Sequence, residues 1–164
     1  MLFSAAMAAG DDVTVISRGE GYLIGCWRNL YVIDFRVTPT IEAIDKSVAG
    51  KRTVLERHPQ GVVVLNFLAQ GPMPPSEVRA HAAKAQTKDI AGVLGHATVI
   101  DATGFAASAM RSILTGLFLV ERHPFPRKVF SASQDAVSWL SQQSSATADW
   151  APGALRAANE LRRR

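Results

Sequence analysis

The spacing of apolar positions changes period several times along the chain, and each change predicts a different kind of element. Val13 to Ser17, Tyr22 to Trp27 and Tyr31 to Val37 are short β-rich runs separated by Gly19, Gly21 and Asn29; such runs joined by tight turns predict an antiparallel meander. The pattern then turns helical. Thr38-Pro39 fits an N-cap followed by proline at the first helical position. Ile41, Ile44, Val48 and Leu55 share one stripe, with Glu42, Asp45, Lys46 and Arg52 elsewhere, and the helix is expected to stop near His58-Pro59. Gly61 to Leu68 is a continuous apolar run of strand length, the pattern of a central strand covered on both faces.

The proline-rich Gly71 to Pro75 turns the chain into an alanine-rich helix, predicted from a Ser76 cap to about Leu94. Arg79, His81, Lys84 and Lys88 crowd its apolar stripe, so it is expected to be the most exposed helix. Thr98 to Asp101 reads as a second short buried strand. Gly104 to Val120 is apolar on most sides through Met110, Ile113, Leu114, Leu117 and Phe118, which predicts the core helix. Lys128 to Ser131 supplies a last strand and Ser133 to Leu140 a short helix; a Ser- and Ala-rich linker leads to Trp150 and a terminal helix from about Gly153. Trp150, Leu155 and Leu161 would be needlessly exposed unless that helix docks on the domain or on another copy of it.

Strands alternating with helices after an antiparallel start define an α/β fold. The sheet is expected to be mixed, with an antiparallel N-terminal meander and parallel strands joined by right-handed helical crossovers. A length of 164 residues with 48% hydrophobic and 20% charged content suits one domain, placed at 12–143, with a flexible N-terminus over 1–11 and a linker plus basic C-terminal helix over 144–164. The apolar first ten residues lack a basic n-region and are read as a loose start, with Met7 as an alternative initiator, in preference to a signal peptide. No apolar run approaches the ~20 residues of a membrane span. Cys26 is the one cysteine, which rules out an intrachain disulfide and a cysteine-based zinc site and suits a reducing, cytoplasmic location.

Charge narrows the partners. Arg162, Arg163 and Arg164 supply three of the net +4, leaving the remainder near +1; they are read as a solvated tail, and nucleic acid is not an expected partner.

In open α/β sheets ligands lie beyond the carboxyl ends of the strands. That rule gathers Arg36, Asn66, Gln70, Asp101, Thr103 and Ser108 as candidate binding residues, with Ser131 beside them. Thr103 is placed to cap the helix that follows, Ser108 lies in its early turns, and Arg111 is within pairing distance of Ser108 along the helix, so an anion there would meet the positive end of the helix dipole. An ordinary cap with small residues for close packing accounts for the same pattern. Glu-Arg-His-Pro occurs twice, at Glu56 to Pro59 and Glu121 to Pro124. Each copy closes a helix, where Arg and His offset the dipole and proline blocks another turn, so both are read as helix stops and not as a paired-histidine metal site.

Enzyme signatures are missing. No serine sits in a Gly-x-Ser-x-Gly elbow, Gly19-x-Gly21 lies between strands and not before a helix, there is no Walker A loop, and His81 and His96 lack zinc-site spacing. No cofactor or metal is expected, and Asp101 and Ser108 are the only residues on which an enzyme reading would rest.

The order of elements resembles the STAS domain (sulfate transporter and anti-sigma factor antagonist), in particular a diverged bacterial branch also likened to CRAL-TRIO lipid-binding domains. The likeness spans about Asp12 to Gln143 and is carried by Gly61 to Leu68, Val99 to Gly104, Ala107-Ser108-Ala109, and Val129-Phe130-Ser131 to Trp139-Leu140. It implies a non-enzymatic regulatory module in bacterial signalling that docks a protein partner, and it makes Ser108 a phosphorylation candidate. The family's usual Asp-Ser-Ser-Gly stretch reads Ala107-Ser108-Ala109-Met110 here, so docking is implied more directly than phospho-switching. The alternative is a binder of a small apolar or lipid-like ligand, suggested by the apolar helix and the CRAL-TRIO likeness.

Overall fold

Two tight turns start the sheet, and each contains a residue with positive φ, Gly21 (+76°) and Arg28 (+48°). They join β1 (Thr14–Gly19), β2 (Tyr22–Trp27) and β3 (Leu30–Phe35) into an antiparallel meander. The computed structural model describes residues 12–164; the readings of a loose start and of Met7 fall outside them. β4 (Val62–Leu68), β5 (Val93–Val99) and β6 (Arg127–Phe130) then add in parallel, giving six strands in the order β1-β2-β3-β4-β5-β6. Because each parallel strand is added on the same side of the last, crossovers of one hand must all lie on one face. α1 (Ile41–Arg57), α2 (Ser76–Ala85) and α3 (Phe105–Val120) occupy that face, and α4 (Ser133–Gln143) and α5 (Trp150–Arg163) cover the other.

The α4/α5 face is densely packed. Leu23, Trp27, Leu30, Val32, Val63, Leu65, Phe67, Ala97 and Val99 meet Val137, Leu140, Trp150 and Leu161 in one buried cluster. Small residues let α5 come close: Ala154, Ala157 and Ala158 face the sheet, and Gly25 leaves the space that Leu161 fills. Trp150 stands against Trp27, ring centroids 6.2 Å apart, while its indole N–H donates to Asn29 Oδ1 (2.9 Å), so the one polar atom of a buried ring is satisfied. The terminal helix thus docks on its own domain.

On the opposite face α1 covers Tyr22, Ile24, Tyr31, Ile33 and Val64 through Ala43 and Val54. Gly50 keeps α1 close at one point, since a side chain there would collide with the Tyr31 hydroxyl, which donates to Ser47 O (2.5 Å). α2 rests on α1 through Val78, Ala85 and Ile44, with His81 Nε2 set 2.6 Å from Asp45 Oδ1.

Several sequence expectations shift. The α1 cap is Thr40, whose hydroxyl accepts from the Ala43 N–H, and not Thr38. Pro75, and not Ser76, precedes α2, which ends at Ala85 and not near Leu94; Val93 and Leu94 open β5, a strand longer than the predicted Thr98 to Asp101. The largest correction concerns α3. It is not the core helix: Ala107 is its one buried residue, while Phe105, Leu119 and Val120 are more than 80% exposed.

This asymmetry is testable by truncating one leucine on each side. Leu161→Ala in α5 is expected to lower stability by about 2–5 kcal/mol through loss of packed volume, whereas Leu119→Ala in α3 should stay within about 0.5 kcal/mol of the parent. Urea denaturation of the two variants checks it; equal losses would contradict the packing described.

Candidate functional site

α3 lies against β6 but turns a helical stripe of apolar side chains over a space beside it. Ala106, Ala109, Met110, Ile113, Leu114 and Leu117 recur at the three- and four-residue spacing of one face, and all line a cavity of about 880 Å³. Its floor is the sheet surface left uncovered by α1, and its walls are α1, α2 and the Pro72 to Pro74 segment. The space opens to solvent past Ile113 and Leu117. Its volume lies within the ~300–1,000 Å³ of small-molecule sites, and its mainly apolar lining with a few convergent polar groups matches their usual character.

The strand register aligns the residues of this sheet face in rows, of which Ile33, Val64, Asn66, His96 and Arg127 line the cavity. Tyr31, Val64, His96 and Arg127 stand side by side in one row, and Ile33, Asn66, Thr98 and Val129 in the next. The polar members of these rows interrupt an otherwise apolar surface. Asn66 Oδ1, His96 Nε2 and Arg127 Nε are all buried without a hydrogen-bond partner, and buried polar atoms are seldom left so.

At the end of the cavity below the C-terminus of α3, Arg127 donates to Glu121 Oε2 (2.7 Å) and to His123 Nε2 (2.9 Å), and its guanidinium lies 3.7 Å from the centre of the Phe118 ring. Burial pulls the Arg127 pKa down, opposed by Glu121. Lys51 projects from α1 into the same region; burial lowers its pKa too, with Asp89 acting against the shift. The His96 ring, desolvated first and then repelled by Arg127, Lys51 and His123, has its pKa lowered to about 3. It is neutral at physiological pH.

The residues anticipated at the carboxyl ends of the strands divide among several places. Arg36, Gln70 and Asp101 share a second cleft of about 700 Å³ with Asp34 and Arg162. The charges there answer one another: Arg36 Nε lies 2.8 Å from Asp34 Oδ2, and Arg162 lies 2.7 Å from Asp101 Oδ2 and stacks on Phe67, 4.2 Å from its ring centre. Arg162 is thus part of a tie between α5 and the sheet, not of a solvated tail. Asn66 and Gln70 line the apolar cavity. Thr103 and Ser108 are exposed and line neither space. Thr103 does not cap α3; Gly104, at φ +99°, occupies that position with no side chain to offer. Arg111 does not pair with Ser108 but donates to the carbonyls of Ile100 (2.8 Å) and Ala102 (3.0 Å), fastening the start of α3 to the end of β5.

Lys51, His96, Glu121, His123 and Arg127 were not anticipated. Both Glu-Arg-His-Pro segments close a helix, His58 at the end of α1 with its N–H bonded to Leu55 O and Val54 O, and Glu121 at the end of α3 with its N–H bonded to Leu117 O; Glu121 and His123 of the second copy also line the cavity. One signal was available, since β4 is uniformly apolar except at Asn66, which falls on the cavity face. Among the described residues no group of three or more His, Cys, Asp or Glu side chains is arranged to hold a metal ion, and no helix is long and apolar enough to cross a membrane. Comparison with protein-family models, with curated proteins and with solved structures found no match.

The His96 shift has a signed consequence. A histidine whose folded pKa lies below its unfolded value takes up a proton more readily in the unfolded chain, so its contribution is complete above pH ~6.5 and is lost as pH falls from there toward 3. Between those limits it adds a slope of up to about 1.4 kcal/mol per pH unit. Stability measured by urea denaturation from pH 7 to pH 4 should therefore decline more steeply for the parent than for His96→Gln; parallel curves would refute the burial of a neutral ring.

Proposed function

We propose that this protein is a STAS-like α/β binding domain that holds a small apolar, lipid-like molecule between the sheet and α3, and that it acts by binding and not by catalysis. The observation that carries this reading is the stripe from Ala106 to Leu117, which lines an open cavity where a helix of such composition would ordinarily be packed into a core. Ile113 and Leu117 remain 60% and 46% exposed, and covering apolar surface of this kind is worth about 25 cal/mol per Å². A bound apolar molecule would supply the contacts that the side chains leave unmade. Asp101, held by Arg162, is not a free general base, and Ser108 is exposed and lines neither cavity. On this reading the chain works in the cytoplasm and needs no cofactor.

A second reading, a regulatory module docking a protein partner, is favoured by the outer side of the same helix, where Phe105, Leu119 and Val120 are exposed. Purification from native cells of the parent and of a Leu119→Ser/Val120→Ser variant separates the two: partner recovery lost only in the variant favours docking, and identical recovery rejects it.

The leading reading is tested by filling the cavity. Ala109→Trp places a large ring in the space without removing any existing contact. Binding of the neutral dye Nile red, followed by fluorescence, is expected to weaken roughly ten-fold or more, with the urea midpoint close to that of the parent. Undiminished binding in the variant, or no binding to the parent, would overturn the proposal.

A further inference from the structure

The apolar lining describes the body of a ligand, and the polar residues at one end describe its head. Accepting the reading just given, we infer that the ligand is a single-chain amphiphile with an anionic head group, a carboxylate or phosphate monoester, seated among Lys51, His96 and Arg127 with its chain running beneath α3. The argument begins with hydrogen-bond inventory. Arg127 Nε is a donor and nothing else, it is buried, and it has no acceptor. His96 Nε2, in the adjacent strand and the same row, is equally buried and unpaired. A head group rich in acceptor oxygens answers the arginine outright and the imidazole in its Nε2–H tautomer.

Charge points the same way. Lys51 and Arg127 bring two positive charges to this end and Glu121 brings one negative charge, the last already engaged by Arg127 at 2.7 Å. Lys51 has no carboxylate within ion-pair distance among the described residues. The excess of one positive charge is partly desolvated, where an unpaired cation is costly and an anion is strongly attracted. A cationic head would be repelled, and an uncharged one would leave the lysine unanswered. The apolar lining available to the ligand's chain includes Met110, Leu114 and Leu117 of α3 together with Met73 and Pro74.

The experiment compares ligands that differ only in the head. Oleate, oleyl phosphate and methyl oleate, each below its micelle concentration, are titrated against Nile red bound to the full chain and to Lys51→Gln. One or both anions are expected to displace the dye at concentrations at least about ten-fold lower than the ester, as a charge-assisted contact provides, and the gap is expected to close in Lys51→Gln with the ester unchanged. Preference for oleate identifies a carboxylate head, preference for oleyl phosphate a phosphate head. Equal displacement by anions and ester would overturn the anionic head and leave the apolar site standing. A gap that survives Lys51→Gln would overturn the placement of the head at this end. Failure of all three to displace the dye would remove the lipid-like ligand altogether.

Discussion

β4 and β5 lie inside a parallel array and are largely buried on both sides, so both faces of the sheet must be covered, and everything else in the molecule is arranged around that need. The requirement is met unequally. On one face α4 and α5 meet it by direct contact, with alanines and a glycine letting a helix lie close and two tryptophans filling the remaining space. On the other, α1 covers the half nearest the antiparallel strands, and α3 touches β6 but leaves a space over the strands between. The cavity is what remains when a parallel sheet is roofed but not packed.

A helix with one buried residue is not held in place by its side chains in the ordinary way. Two arginines do much of that work for α3. Arg111 ties its first turns to the carbonyls at the end of β5, and Arg127 reaches from β6 to Glu121 and Phe118 at its far end. Between those anchors the inner stripe is free to meet something other than protein. A parallel role falls to Arg162, which binds the last helix to Asp101 and lies over Phe67. Arginine suits these positions because its fork of donors serves more than one acceptor, and at Arg127 and Arg162 the guanidinium also sits over an aromatic ring.

How much of this was legible in the sequence depends on the scale of the question. Period alone found six strands and five helices in the right order, because alternation and 3.6-residue stripes report backbone geometry directly, but it overran α2 by nine residues and began β5 five residues late. The misplacements came where propensity and tertiary pairing disagree: the alanine-rich stretch after Ser76 reads as helix to Leu94, but the helix stops at Ala85 and Val93 is paired with Val62 of β4. The exposure of α3 was not legible: its apolar stripe reads first as a core helix, and only in the alternative as a sign of an apolar ligand. An apolar stripe announces that a surface avoids water, and it does not say whether side chains or a ligand will provide the cover. For the same reason attention went to the carboxyl ends of the strands, where Arg36, Gln70 and Asp101 do converge, while the buried row of His96 and Arg127 stayed hidden. Only the register of three parallel strands places Arg127 beside His96, and no spacing rule connects residues 31 positions apart.

The separation between the two faces also bears on how such a molecule changes over generations. Substitutions within the α4/α5 layer must respect an interlocked set of shapes, where Gly25, Gly153 and the tryptophans constrain one another. The inner stripe of α3 answers to no such jigsaw. Residues there are free to drift in size and branching while the anchoring arginines and the rest of the sheet stay as they are, so one scaffold can acquire new contents by editing a single helix.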